Sequence, residues 1–167
     1  MNGGFQGMQQ LSGILLLIAA LGMPSAALAT DNRACKLLTS EELESVVGGK
    51  LLAFQGSAYK TGDMCTASST SVTVMLRLAK KEQADAGAKS MDMLRSMGAR
   101  VDVKTFGLIT CSAVTPPKHM QQYGFKTSCS VSKGAEIAAV EVRAKNQKDM
   151  VSIDVLHPLA DKMTGRF

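Results

Sequence analysis

The chain has 167 residues, a formal net charge of +5, no Trp and only 4% aromatic residues. That length suits one domain. The basic residues are dispersed, with Lys80-Lys81 the only adjacent pair, and stacking aromatics are scarce, which argues against a nucleic-acid-binding surface.

Residues Leu11 to Leu21 form an apolar block too short to span a bilayer comfortably. Pro24 and Ser25 follow, and Ala27-Leu28-Ala29 places small residues at the two positions a signal peptidase reads. The sequence therefore predicts a cleavable signal peptide over residues 1–29, cut after Ala29, and a single α+β domain over residues 30–167. The segment before the apolar block departs from the usual pattern, since it carries no Lys or Arg. All four cysteines follow Ala29. An even number suits an oxidising compartment, periplasmic or extracellular. None forms a C-x-x-C pair, so neither a zinc ribbon nor a thioredoxin-type site is indicated. Of the three possible pairings, Cys35–Cys65 and Cys111–Cys129 are favoured because each closes a local loop.

The first element of the exported part is a short helix. Thr39 can cap it, Glu42 can return the bond, Leu38 can staple to Leu43, and Gly48-Gly49 ends it. An irregular apolar stretch from Lys50 to Ser57 predicts a weak strand, Tyr59 to Asp63 a turn, and Met64 to Ser68 a strand carrying Cys65. Ser71 to Ala79 alternates cleanly, with Val72, Val74, Leu76 and Leu78 on one face. Lys81 to Met97 is rich in helix formers, with Ala84, Ala88, Met91 and Leu94 as its stripe and Gly98 after its end. Val101 to Thr105 and Leu108 to Val114 read as strands. Thr115-Pro116-Pro117 must be a loop, because proline cannot donate to a ladder. A hairpin follows, one arm bearing Phe125, Thr127, Cys129 and Val131 on one face, the other running to Val142, with its turn at Lys133-Gly134. Asn146 to Asp149 reads as a polar connector. Met150 to Leu156 alternates, predicting a last strand with Val151, Ile153 and Val155 inward. Pro158 is expected at the first position of a terminal helix that uses Leu159 and Met163 as apolar contacts. Strands that follow one another directly predict an α+β fold, a largely antiparallel sheet with helices on one face.

The run Cys35-Lys36-Leu37-Leu38-Thr39-Ser40-Glu41-Glu42, the later Cys65, the hairpin, and the closing Leu159-Ala160-Asp161-Lys162-Met163 together resemble small exported α+β domains of bacterial envelopes. Many of those are domains of unknown function. The resemblance implies an envelope or secreted location and carries no catalytic residues with it.

Few residues suggest chemistry. Nucleophilic catalysis needs a nucleophile, a base and an orienting group together. The two histidines, His119 in the Pro-Pro loop and His157 at an expected helix boundary, accompany no Gly-x-Ser-x-Gly elbow, and no metalloprotease, phosphate-loop or EF-hand motif occurs. Among the 11 methionines, Met93 and Met97 lie one helical turn apart, and thioethers suit Cu(I). Core filling in a chain short of aromatics is the plainer reading. The loop from Thr115 to Tyr123 offers Lys118, His119 and Tyr123 as donors beside an amphipathic aromatic. If Cys111–Cys129 holds its base, the loop is pre-organised for a partner. The expected function is a non-catalytic binding or interaction module of the envelope. It needs no cofactor, metal or nucleic acid, keeps no stable membrane span after cleavage, and contacts an unknown envelope protein or small ligand. The alternatives are a small-molecule or Cu(I) carrier with a pocket between sheet and helices, and a hydrolase with an unrecognised site.

Overall fold

The structure, a computed structural model, describes residues 31–81 and 85–167, with the side chains of residues 85–89 outside the description. The expected signal peptide, residues 1–29, and the stripe residue Ala84 fall outside the described residues, as does the side chain of Ala88.

A 3-10 helix, Arg33–Lys36, leads into helix α1, Ser40–Val47. Thr39 and Glu42 form the expected reciprocal capping box, and Gly48 ends the helix at φ 71°. Three strands follow: β1, Gln55–Tyr59; β2, Gly62–Ser68; and β3, Val72–Lys80. Helix α2, Asp85–Ser96, leads to β4, Arg100–Phe106, and β5, Ile109–Thr115. A second 3-10 helix, Lys118–Tyr123, connects to the hairpin of β6, Phe125–Lys133, and β7, Glu136–Ala144. A third 3-10 turn, Gln147–Asp149, and helix α3, Ile153–Met163, complete the chain order.

The strands form one seven-stranded sheet in the order β1-β2-β3-β7-β6-β5-β4, with every neighbouring pair antiparallel. The α+β class is therefore as the alternation of the sequence dictates. Residues paired across strands share a face, so Cys65, Leu76, Val140, Cys129 and Cys111 run as one row across the middle of the sheet. That face is covered by the first 3-10 helix and by α3, on which α1 packs. Leu37, Leu38, Leu43, Leu156 and Met163 close the space between the layers. Burying each such side chain contributes roughly 1.5–3 kcal/mol. The other face carries Thr66, Thr73, Ser128 and Ser130, the polar half of the same two-residue period.

Both expected disulfides are present, Cys35–Cys65 and Cys111–Cys129, and no described cysteine is free. The first pins the amino-terminal 3-10 helix to β2. The second joins directly opposed residues of β5 and β6 within the core.

The end of the chain departs from expectation. Met150 to Leu156 is no strand: Ser152 caps α3, accepting from the Val155 amide, and the helix is under way from Ile153. Val151 and Ile153 are buried as expected, but Val155 is exposed. Pro158 lies inside the helix rather than at its first position, where it forgoes one backbone hydrogen bond. The β-branched alternation of Val151, Ile153 and Val155 mimics a strand. The spacing of Ile153, Leu156, Leu159, Ala160 and Met163, all buried, is the helical pattern that prevails, because it fits the apolar face of the sheet. The first strand is also shorter than Lys50 to Ser57 suggests and begins at Gln55.

Candidate functional site: the loop at one end of the sheet

The loop between β5 and β6 is built by proline and glycine. Pro116 and Pro117 stop the β5 ladder, and Pro117, at φ −63°, starts the 3-10 helix by accepting from the Met120 amide at 2.8 Å. Gly124 ends it at φ 84°, with its N–H donating to the Gln121 carbonyl at 3.0 Å. A Cβ on Gly124 would stand 2.8 Å from the Ala144 carbonyl oxygen. Glycine is required there twice over, for the left-handed backbone and for the close approach of β7.

Lys118 and His119 are exposed on this loop, Met120 is half-buried, and Tyr123 is 65% exposed. The three candidate residues are therefore all exposed on one loop. The Cys111–Cys129 disulfide does not close the base of the loop directly. The pairs Ser112–Ser128, Ala113–Thr127 and Val114–Lys126 lie between it and the loop, so rigidity reaches the loop through a ladder of paired strands. Ser112 and Ser128 add a hydroxyl–hydroxyl bond of 3.1 Å within that ladder.

The register adds residues from the polar connector after β7. Phe125 pairs with Ala144, so Lys145 and the turn holding Lys148 emerge at the same end of the sheet as the loop. The Lys145 amide donates to the Ser71 carbonyl of the β2–β3 turn. Lys118, Lys145 and Lys148 are exposed, and none makes an ion pair among the described residues. Arg143 is held back by Glu141 at 3.0 Å. The signal for this cluster is long-range pairing, which no local pattern displays.

The histidines are separated. His119 is in the exposed loop, whereas His157 lies within α3 and stacks on Phe106, ring centroids 4.0 Å apart. His157 thus packs α3 against β4 rather than capping a helix. Met93 and Met97 are both exposed on α2, and Met91 is half-buried. Among the described residues, no three His, Cys, Asp or Glu side chains gather in a metal-binding arrangement. A depression of about 410 Å³ opens between the end of α1 and the β2–β3 turn, lined by residues including Lys50, Leu52, Ser69 and Ser71. Its walls combine turn backbone and hydroxyls with the apolar Val47 and Leu52, and the ammonium of Lys50 is taken by Glu44 at 2.8 Å.

No protein-family model matches the chain, and no curated protein matches it in sequence.

Proposed function

We propose that the protein is an exported, non-catalytic binding module of the bacterial cell envelope, and that the loop end of the sheet is its contact surface. The observation that carries this reading is the exposed Tyr123 and Lys118 on a loop ended by Gly124, at the same end of the sheet as the exposed Lys145 and Lys148. An amphipathic aromatic among unpaired cations on a rigid frame suits an acidic partner surface, because little conformational entropy remains to be lost on binding. Export is supported by two disulfides in a chain with no free described cysteine. No helix of the described residues is long and apolar enough to cross a membrane.

The test is capture of partners from native envelope extract by the parent, by a Lys118→Ala/His119→Ala/Tyr123→Ala variant, and by a Lys60→Ala/Lys80→Ala control at the opposite end. Loss of the captured partner only in the triple variant supports the loop. Equal capture by all three overturns it. A second reading, a Cu(I) carrier, draws on the exposure of Met93 and Met97 one turn apart. It requires that a Met93→Leu/Met97→Leu variant lose Cu(I) binding that the parent shows.

A further inference from the structure

The sheet has two edges, and they are finished differently. At the β1 edge, Asn32 Nδ2 donates to the Ser57 carbonyl at 3.0 Å, and the Asn32 side chain lies against Gly56. Strand β4, on the other edge, is longer, and among the described residues no hydrogen bond outside the β4–β5 ladder reaches its backbone. An open row of N–H and C=O groups is a template for a further strand.

We propose that this edge pairs with the same edge of a second copy of the chain, antiparallel and centred on Val103. The sequence of β4, Arg100-Val101-Asp102-Val103-Lys104-Thr105-Phe106, places Arg100, Asp102 and Lys104 on one face and Val101, Val103 and Thr105 on the other. A two-fold axis through Val103 sets Asp102 opposite Lys104 of the other copy, and the symmetry repeats that pair. Val103 then meets its own copy and Val101 meets Thr105. An axis through Asp102 or Lys104 would instead bring like charges face to face, which is unfavourable across strands. An axis through Val101 would run the pairing off the strand and into α2. Only the Val103 register keeps all of Arg100–Phe106 paired while opposing unlike charges.

The charges thus do two jobs. Charged side chains on an edge strand discourage indiscriminate pairing, and their alternating signs admit one self-complementary register. Val103, 47% exposed, is covered by this pairing. Helix α2 touches β4 and carries the exposed Met93 and Met97. In the single chain Lys104 is bound to Asp154 at 2.8 Å and Asp102 to Arg100 at 3.3 Å; all four side chains are solvent-facing, so both pairs can exchange for the pair across the edge. A seven-residue strand is roughly 23 Å long. Pairing over that length buries a small area, so the association is weak and concentration-dependent.

Sedimentation velocity over a concentration series, with thermal unfolding to confirm that each variant is folded, decides the matter. The parent is expected to double in mass as concentration rises. Asp102→Lys and Lys104→Asp, each alone, are expected to weaken self-association about tenfold or more. Mixed together they should associate with each other, since an edge bearing two lysines at these positions then faces an edge bearing two aspartates. The doubly exchanged chain, Asp102→Lys/Lys104→Asp, should self-associate again. A parent that stays monomeric throughout overturns the proposal. So do single variants that associate as the parent does, or a mixture that stays monomeric.

Discussion

Glu42 receives both guanidinium nitrogens of Arg166 at 2.7 and 2.8 Å, the Lys162 ammonium at 3.2 Å, and the Thr39 amide at 3.0 Å. The same Arg166 donates to the Leu37 carbonyl, so one carboxylate joins the start of α1 to the end of α3. Its side chain is only 15% exposed. The Arg166 hydrogen bonds are the largest cause holding its carboxyl down at about 2, against an ordinary 4.5; burial opposes them, and Thr39 and Lys162 assist. A carboxyl depressed in the folded state contributes stability that is complete above about pH 4.5 and is lost as pH falls toward 2. Glu42→Gln should therefore cost on the order of 2 kcal/mol at neutral pH. Its stability should also fall less than the parent's between pH 5 and pH 2. Urea unfolding at several pH values measures both. The capping role of Glu42 is legible in the spacing from Thr39. Its partnership with Arg166, far along the chain, is not.

At the scale of elements, Gly124→Ala should cost about 1–3 kcal/mol, because it puts a side chain into a left-handed backbone and against the Ala144 carbonyl. Denaturant unfolding reads the cost, and faster hydrogen exchange in Lys118–Tyr123 should accompany it. Replacing Cys35 and Cys65 together by Ser should cost about 3–4 kcal/mol on the chain-entropy model. That loss should loosen the first 3-10 helix and α1 before the hairpin, as protection of their amides would show. Most elements are readable because local cues agree: the capping box of α1, the alternation of β3, and the hairpin of β6 and β7. The hairpin's turn falls on Gly134-Ala135, one residue later than Lys133-Gly134 suggests, with Lys133 paired to Glu136. The start of helix α3 reads as a strand because β-branched residues at alternate positions match the strand period over so short a span, although Val155 is exposed. Burial against the sheet selects the helical one, and that choice is tertiary.

For the whole molecule, the sheet has a packed face and an exposed loop end. One face is spent on the core, with α3 and the first 3-10 helix laid over it and two disulfides fixed within it. The loop end, where β5 and β6 are joined by the Cys111–Cys129 disulfide and β6 pairs with β7, is the contact surface we propose. Lys118, His119 and Tyr123 can be singled out from the sequence because a Pro-Pro loop interrupts strong strand patterns. Lys145 and Lys148 cannot, since only the pairing of Phe125 with Ala144 brings them alongside. The most direct measurement places a photo-crosslinking amino acid at position 123 in one variant and at position 59 in another. Tyr59 is a comparably exposed tyrosine near the opposite end of the sheet. Irradiation in cells should give a discrete crosslinked partner from position 123 and none from position 59. The same product from both positions, or a product from position 59 alone, would contradict a contact surface at the loop.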